Sequence, residues 1–319
     1  VGLSVVIPTY NNVEYLKELF DSIEKVKFND EYEILIGIDS CKSTLKYVYE
    51  HDFTSNFNFF YFEENIGPYI IRNTLCNLSK FDKLLFFDSD DIVLPDLFTE
   101  INDKLNFFDL VKPKYIDFKD VDNERKFSDK KNTFGEGVFG IKKDLFLSIN
   151  GFEGWRVAAD SDLMSRLYKM KIKILHTSHV LFHRRIHPNS LTVHPETGLS
   201  SRMRSLFFTK SKNKKKEEIK LDTYETSEYK VVNVTNKELL KSFEELQKEQ
   251  ELTDYEEKKL KHEKVSEIFS KGPKNNPSRQ NKVINYDLIN KNMNHTISSK
   301  LGTALKKAKL EEIRRGSRR

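Results

Sequence analysis

The stretch LLFFDSDDIVLPD, residues 84–96, decides how the rest of the chain is read. Leu84 to Phe87 form an apolar run without a polar break, the pattern of a strand buried on both faces of a parallel sheet. The run ends abruptly in three carboxylates, Asp88, Asp90 and Asp91. Acids gathered at the tip of a buried strand repel one another, so the arrangement calls for a compensating cation. Mg2+ or Mn2+ would serve, because a hard divalent ion takes oxygen ligands and often shares them with substrate phosphates. The competing reading is a turn whose acids cap the helix that starts near Pro95.

Upstream, LSVVIP (3–8), YEILIGID (32–39) and FNFFYF (57–62) read as further strands. Between them, Val13, Leu16, Leu19, Phe20, Ile23 and Val26 share one helical face, and residues 43–51 and the segment after Gly67 read as helices. Strand alternating with helix predicts an α/β sheet with right-handed crossovers. Ligands of such sheets bind at the carboxyl ends of the strands, where Thr9, Tyr10, Asp39 and Asp88 fall. Further on, a helix is predicted over 97–105, exposed strands over 110–120 and 125–134, and a short strand and helix ending at Gly151. Another helix follows over 159–170, then two strands and a histidine-rich loop over 172–195. A domain of residues 1–205 is expected to give way to a charged extension, 206–319, largely helical or partly disordered.

Composition sets outer bounds. The 319 residues are 38% apolar and 32% charged, enough for a core with a large polar remainder. Cys41 and Cys76 are the only cysteines and lack metal-binding spacing, so a reducing, cytoplasmic location is expected. Neither a signal peptide nor a membrane-spanning run is evident, which predicts a soluble protein. The net charge is +5, and the last nineteen residues carry all of it: three Lys and four Arg against two Glu. Such a tail suits an anionic partner or merely keeps the chain in solution. Five of the eight histidines, His176, His179, His183, His187 and His194, lie within nineteen residues. With no cysteine nearby and a strand-and-loop pattern, a zinc site is disfavoured.

Six segments in order carry a resemblance: LSVVIPTYNN (3–12), ENIGPYIIRN (64–73), FFDSDD (86–91), NGFEGW (150–155), ADSDLMSRL (159–167) and HRRIHPNSLT (183–192). Together they resemble family 2 glycosyltransferases of the GT-A fold, a Rossmann-like, mostly parallel sheet flanked by helices. The resemblance implies a metal-dependent, inverting transfer from a UDP-sugar to a hydroxyl acceptor, most often a saccharide. It implies a nucleoside pocket of Thr9, Tyr10 and Asn11, with Asp39 accepting the uracil N–H. Asn65, Gly67 and Arg72 match donor-binding positions, although Arg72 would equally suit a structural salt bridge. Asp88 matches the acid that holds ribose hydroxyls, and Asp90 the metal ligand, with Asp91 as a participant. His187 matches a position that ligates the metal or touches the diphosphate, and Arg185 would help to neutralise it.

Asp160 matches the general base, with the cap of its helix as the alternative role. The Glu that precedes this Asp in the family is Ala159 here, which also leaves room for a catalytically weak nucleotide- or glycan-binding relative. Trp155, the lone tryptophan, would stack on an acceptor ring or belong to the core. The basic tail raises a further acceptor class, hydroxymethyl-pyrimidines in DNA, as in some bacteriophage transferases.

Overall fold

The computed structural model describes residues 2–122, 124–132, 137–213 and 231–235, all within one compact unit spanning residues 1–249. Residues 236–319 of the expected charged extension, the basic tail 301–319 included, lie outside the described residues.

The first half follows the predicted alternation: β1 (Gly2–Thr9), α1 (Val13–Ile23), β2 (Glu31–Asp39), α2 (Lys42–Glu50), β3 (Phe57–Phe62), α3 (Pro68–Leu78) and β4 (Lys83–Phe86). Strands β3, β2, β1 and β4 lie side by side and parallel. The apolar run that ends in the acids is buried for the reason its pattern suggests. Leu85 and Phe87 join the core on one face with Leu16, Leu19, Leu97 and Phe98, from α1 and α4 (Leu97–Lys104). Leu84 and Phe86 join the core on the other face with Ile71, Leu75, Phe146 and Leu163. A strand clad on both sides has no polar position to offer until it ends.

Beyond β4 the sheet becomes mixed. β5 (Ile92–Val93), β6 (Leu110–Val121), β7 (Glu124–Asn132), β8 (Phe139–Lys142), β9 (Ile174–Arg185) and β10 (Val231–Asn233) complete it among the described residues. The order is β10-β3-β2-β1-β4-β8-β6-β9-β5, with β7 paired to β6. β8 runs antiparallel to β4, and β6 is antiparallel to β8 but parallel to β9. The expectation of an exposed strand over 110–120 fails for its first half. Leu110 and Val111 are fully buried, because there β6 lies between β8 and β9; further along, β7 takes the place of β8 while β9 stays paired through Phe118. The two strands expected over 172–195 are one bent strand, β9, whose register against β6 shifts twice. Within the extension, β10 pairs antiparallel with β3, so the sheet includes residues beyond 205.

The remaining helices are α5 (Lys143–Ser148), α6 (Ala159–Leu167) and α7 (Arg202–Asn213). α3 lies close to the sheet because Gly37 of β2 has no side chain. A Cβ there would overlap Ile71 and crowd Leu75 Cδ1 at 3.1 Å and Phe62 Cε2 at 3.3 Å. Gly37→Ala should therefore destabilise the chain by about 1–3 kcal/mol, the usual cost of overpacking a filled core. Urea unfolding reads this directly, and an unchanged midpoint would mean that α3 can retreat without cost.

Candidate active site

The acid turn is tied down from three directions. On the β1 side, Thr9 Oγ1 donates to Asn12 Oδ1 at 2.6 Å, and Asn12 Nδ2 donates to Ser89 Oγ at 2.6 Å. Those bonds lock the loop after β1 to the Asp88–Asp91 turn. Thr9 is buried, Asn11 adopts a left-handed φ of 49°, and Tyr10 projects outward at 58% exposure. From α3 the buried guanidinium of Arg72 pairs with Asp88, while its Nε is buried without a partner among the described residues. Arg72 thus takes the salt-bridge role.

Arg185 makes the third tie. Its backbone N–H donates to Asp91 Oδ1 at 2.9 Å, and its Nε to the Asp90 carbonyl at 3.0 Å. The rest of the guanidinium pairs with Glu18 and Asp120 and lies 4.5 Å from the ring centroids of both Tyr15 and Phe118. Arg185 is 3% exposed. A side chain this enclosed holds the turn in place.

Each acid then has a distinct environment. Asp90 Oδ2 meets His187 Nε2 at 2.9 Å, beside the ring of Tyr15. Asp88 is partly exposed, and its carboxyl is pushed above the ordinary range by burial, then by the charges of Asp90 and Asp160, against the opposing pull of Arg72. Asp91 is 1% exposed, and its Oδ2 has no partner among the described residues. Burial first, then Asp90 and Asp88, push its carboxyl well up. Asp91 faces β9, where the Arg185 N–H holds its Oδ1.

Asp90 and His187 are the two groups placed to hold a cation. Among the described residues there is no cluster of three His, Cys, Asp or Glu side chains suited to a metal. A carboxylate and an imidazole in contact still fit Mg2+ or Mn2+, which keep open positions for phosphate oxygens and water. The other four histidines do not converge on this pair. His176 and His183 belong to β9, and burial lowers the proton affinity of both.

At the end of β2, Asp39 accepts the backbone N–H groups of Ile66 at 2.8 Å and Gly67 at 3.0 Å. It therefore shapes the loop before α3, and each oxygen keeps a lone pair for a further donor. Gly67 caps α3 with φ 88° and ψ 163°, a conformation that a side chain would strain. Asn65 receives Arg156, whose Nη1 donates to its Oδ1 at 2.8 Å and Nη2 to its carbonyl at 2.9 Å.

Asp160 is in the first turn of α6 but is not its cap. The cap is Ala158, left-handed at φ 65° and buried, with no capping side-chain bond. The Asp160 carboxylate instead accepts the Ser161 N–H at 2.9 Å. α6 is held by Arg166, which pairs with Asp162 at 2.8 Å and donates to the carbonyls of Ile149 and Gly151. Trp155 stacks on Phe207 of α7 at 5.1 Å and packs against the second core, so it belongs with the core rather than with an open acceptor platform.

The structure thus brings together Asp88, Asp90, His187, Arg72 and Asp160, with Thr9, Asp39, Asn65 and Gly67 forming the adjoining end of the sheet. Sequence reasoning missed Asn12 and Arg156, although Asn12 lies inside a quoted segment beside recognised residues. Glu18 and Asp120 carried no signal, because only folding places them beside Arg185.

Comparison with known proteins agrees with this geometry. A profile described as Glycosyl transferase family 2 matches residues 4–187. The chain belongs to glycosyltransferase family 2. A Haemophilus influenzae protein described as an uncharacterized glycosyltransferase is 27% identical over 184 residues, covering 52% of this chain and 61% of that one. The poly(ribitol-phosphate) beta-N-acetylglucosaminyltransferase TarS of Staphylococcus aureus is 34% identical over 94 residues, 28% of this chain and 16% of TarS. The chain therefore spans less than two thirds of the length of either relative. Residues 1–349 of TarS in complex with UDP-GlcNAc superpose with a TM-score of 0.50 at 20% identity, covering 59% of each chain. The UDP complex gives 0.50 at 18%, covering 69% of this chain and 76% of that one. These likenesses establish the GT-A fold.

Asp91 offers a test. A carboxyl that keeps its proton to higher pH when folded stabilises the fold below the ordinary carboxylate range. That stability is lost as pH rises through the raised folded value. Asp91→Asn keeps an acceptor for the Arg185 N–H and removes the buried charge. The metal-free variant should melt at a higher temperature than the parent at pH 7, with a weaker pH dependence through the acid range. A lower melting temperature together with loss of Mn2+-induced stabilisation would instead make Asp91 a ligand.

Proposed function

We propose that the protein is a metal-assisted, inverting glycosyltransferase that moves a sugar from a UDP-sugar to a hydroxyl acceptor, a saccharide. One arrangement carries the reading: the turn after β4 sets Asp88 against Arg72 and Asp90 against His187 at 2.9 Å, and Ala159, beside Asp160, packs into the core that holds Phe86 of β4. A base and a diphosphate site must share one mouth for an in-line displacement. The TarS relative, named as a beta-N-acetylglucosaminyltransferase and solved with UDP-GlcNAc, supports a UDP-sugar donor.

In this reading Asp39 takes the uracil N–H on a remaining lone pair, the exposed Tyr10 covers the nucleoside, and Gly67 lets the backbone approach. Asp88, steadied by Arg72, accepts ribose hydroxyls. Asp90 and His187 hold Mg2+ or Mn2+, which when bound neutralises the diphosphate and stabilises the departing UDP. Asp160 takes the proton of the acceptor hydroxyl as that oxygen attacks the anomeric carbon opposite the leaving group. The configuration inverts because there is one displacement. Ala159 is fully buried, so acceptor contacts come from other residues than the family's Glu.

A thermal-shift panel with UDP-, GDP- and ADP-sugars, with Mn2+ or with chelator, tests the donor. UDP-sugars should stabilise the protein most, and chelation should weaken the effect; equal shifts from all three nucleotides would count against Asp39 as the uracil contact. The base is tested by Asp160→Asn, which keeps the shape and removes the proton acceptor. Turnover should fall by about a hundredfold to ten-thousandfold, the range for a positioned base, while donor-induced stabilisation persists. Near-normal transfer by this variant would place the base elsewhere.

A further inference from the structure

Two loops approach each other at the end of the sheet, and one side chain joins them. The first, between β3 and α3, carries Asn65, Ile66 and Gly67, and Asp39 holds it by the N–H groups of Ile66 and Gly67. The second, between α5 and α6, leads to Asp160. Arg156 of the second loop grips the first at a single residue: Nη1 donates to Asn65 Oδ1 at 2.8 Å, and Nη2 donates to the Asn65 carbonyl at 2.9 Å. Its stem passes over Gly67, where an added Cβ would lie 3.8 Å from Arg156 Cγ. A planar guanidinium that sets two nitrogens on one residue fixes direction as well as distance.

We infer that Arg156 is a positioning residue for transfer, which holds the start of α6, and with it Asp160, in register with the loop that Asp39 and Gly67 shape. The inference rests on the reading of Asp160 as the base. α6 begins without a side-chain cap, at the left-handed Ala158, so its first turn takes its place from the chain that leads into it. Val157, Ala158 and Ala159, the residues between Arg156 and Asp160, are all buried. A close-packed segment passes a displacement on rather than absorbing it, so fixing Arg156 fixes Asp160. The other end of the same loop has its own tie: Asn73 of α3 donates to the Phe152 carbonyl at 2.8 Å and accepts the Phe152 N–H at 2.9 Å. Arg156 is the tie next to the base. It is also exposed, and surface substitutions of this kind change stability little, so what the grip controls is register rather than folding. A base and a donor carried by separate elements need that register, because a misplacement of about 1 Å costs about a hundredfold in rate.

The test compares Arg156→Ala with Arg156→Lys in the full chain; lysine keeps the charge and loses the fork. The reaction is Mn2+-supported hydrolysis of whichever of UDP-glucose, UDP-galactose and UDP-N-acetylglucosamine is cleaved fastest, with water as acceptor and a radiolabelled sugar to follow slow rates. We expect kcat to fall by about tenfold to a hundredfold in both variants, as for a reacting group held out of register. KM for the UDP-sugar, the thermal shift by UDP and the melting temperature should stay as in the parent. An unchanged kcat in Arg156→Ala overturns the inference. So does full activity in Arg156→Lys, since charge would then suffice, and so does a raised KM at constant kcat, which would make Arg156 a donor contact. A fall in kcat that comes with a lower melting temperature and a smaller UDP shift overturns it as well, because the role is then structural. Asp160→Asn separates this inference from the reading beneath it. Adding Arg156→Ala to that variant should slow it no further, because a residue that acts through the base has nothing left to align. A further fall in the double variant discards the role of Arg156 and leaves the base in place. Near-normal hydrolysis by Asp160→Asn removes the base and the inference with it.

Discussion

Crowded carboxylates are the constraint around which this molecule is built. Asp88, Asp90 and Asp91 gather in the turn after β4, and burial first, then the charges of their acidic neighbours, raises the proton affinity of Asp88 and Asp91. Two like charges about 4 Å apart repel by about 4 kcal/mol at an effective dielectric near 20. Such a cluster stays folded only if each acid has a dedicated partner. Arg72 serves Asp88, His187 serves Asp90, and the Arg185 backbone serves Asp91.

The partners come from elements far apart in sequence, and the sheet brings them together. Arg72 stands on α3, which can lie against β2 only because Gly37 leaves room. Arg185 ends β9, and its guanidinium is anchored by Glu18 of α1 and Asp120 of β6, while Arg125 of β7 bridges the same two acids. The β6–β7 ribbon thus serves as a brace for the acid turn. Charges that would be costly if isolated inside the protein are tolerated because both members of each pair are present and hydrogen-bonded.

Much of this was legible beforehand. Apolar runs marked β1, β2 and β4, and those of β2 and β4 lead into acids, because a strand covered on both faces has only its end free for polar residues. The mouth of the sheet followed from the crossover rule, and the positions of Asp90 and His187 followed from the family resemblance. Reading failed where burial is decided by neighbours instead of pattern. The first half of β6 looked like an exposed strand, with Lys112, Lys114 and Tyr115 among its residues, yet Lys112 is 2% exposed because β8 and β9 flank it. β5 has two residues and β10 three, too short for any periodic signal.

The sequence by itself determined which residues could form the site: the acids at strand ends, the glycine before α3, the acid at the start of α6. These follow from local physics, since strand burial, left-handed φ and chain order are set within a few residues. Tertiary structure alone decided what each does. Arg185 met Glu18 and Asp120, Asp91 met the Arg185 backbone, and Trp155 went to a stack with Phe207. Each outcome depends on side chains meeting across tens of residues of intervening chain. Hydrogen bonding acts over about 3 Å, and a linear sequence carries no distance of that kind.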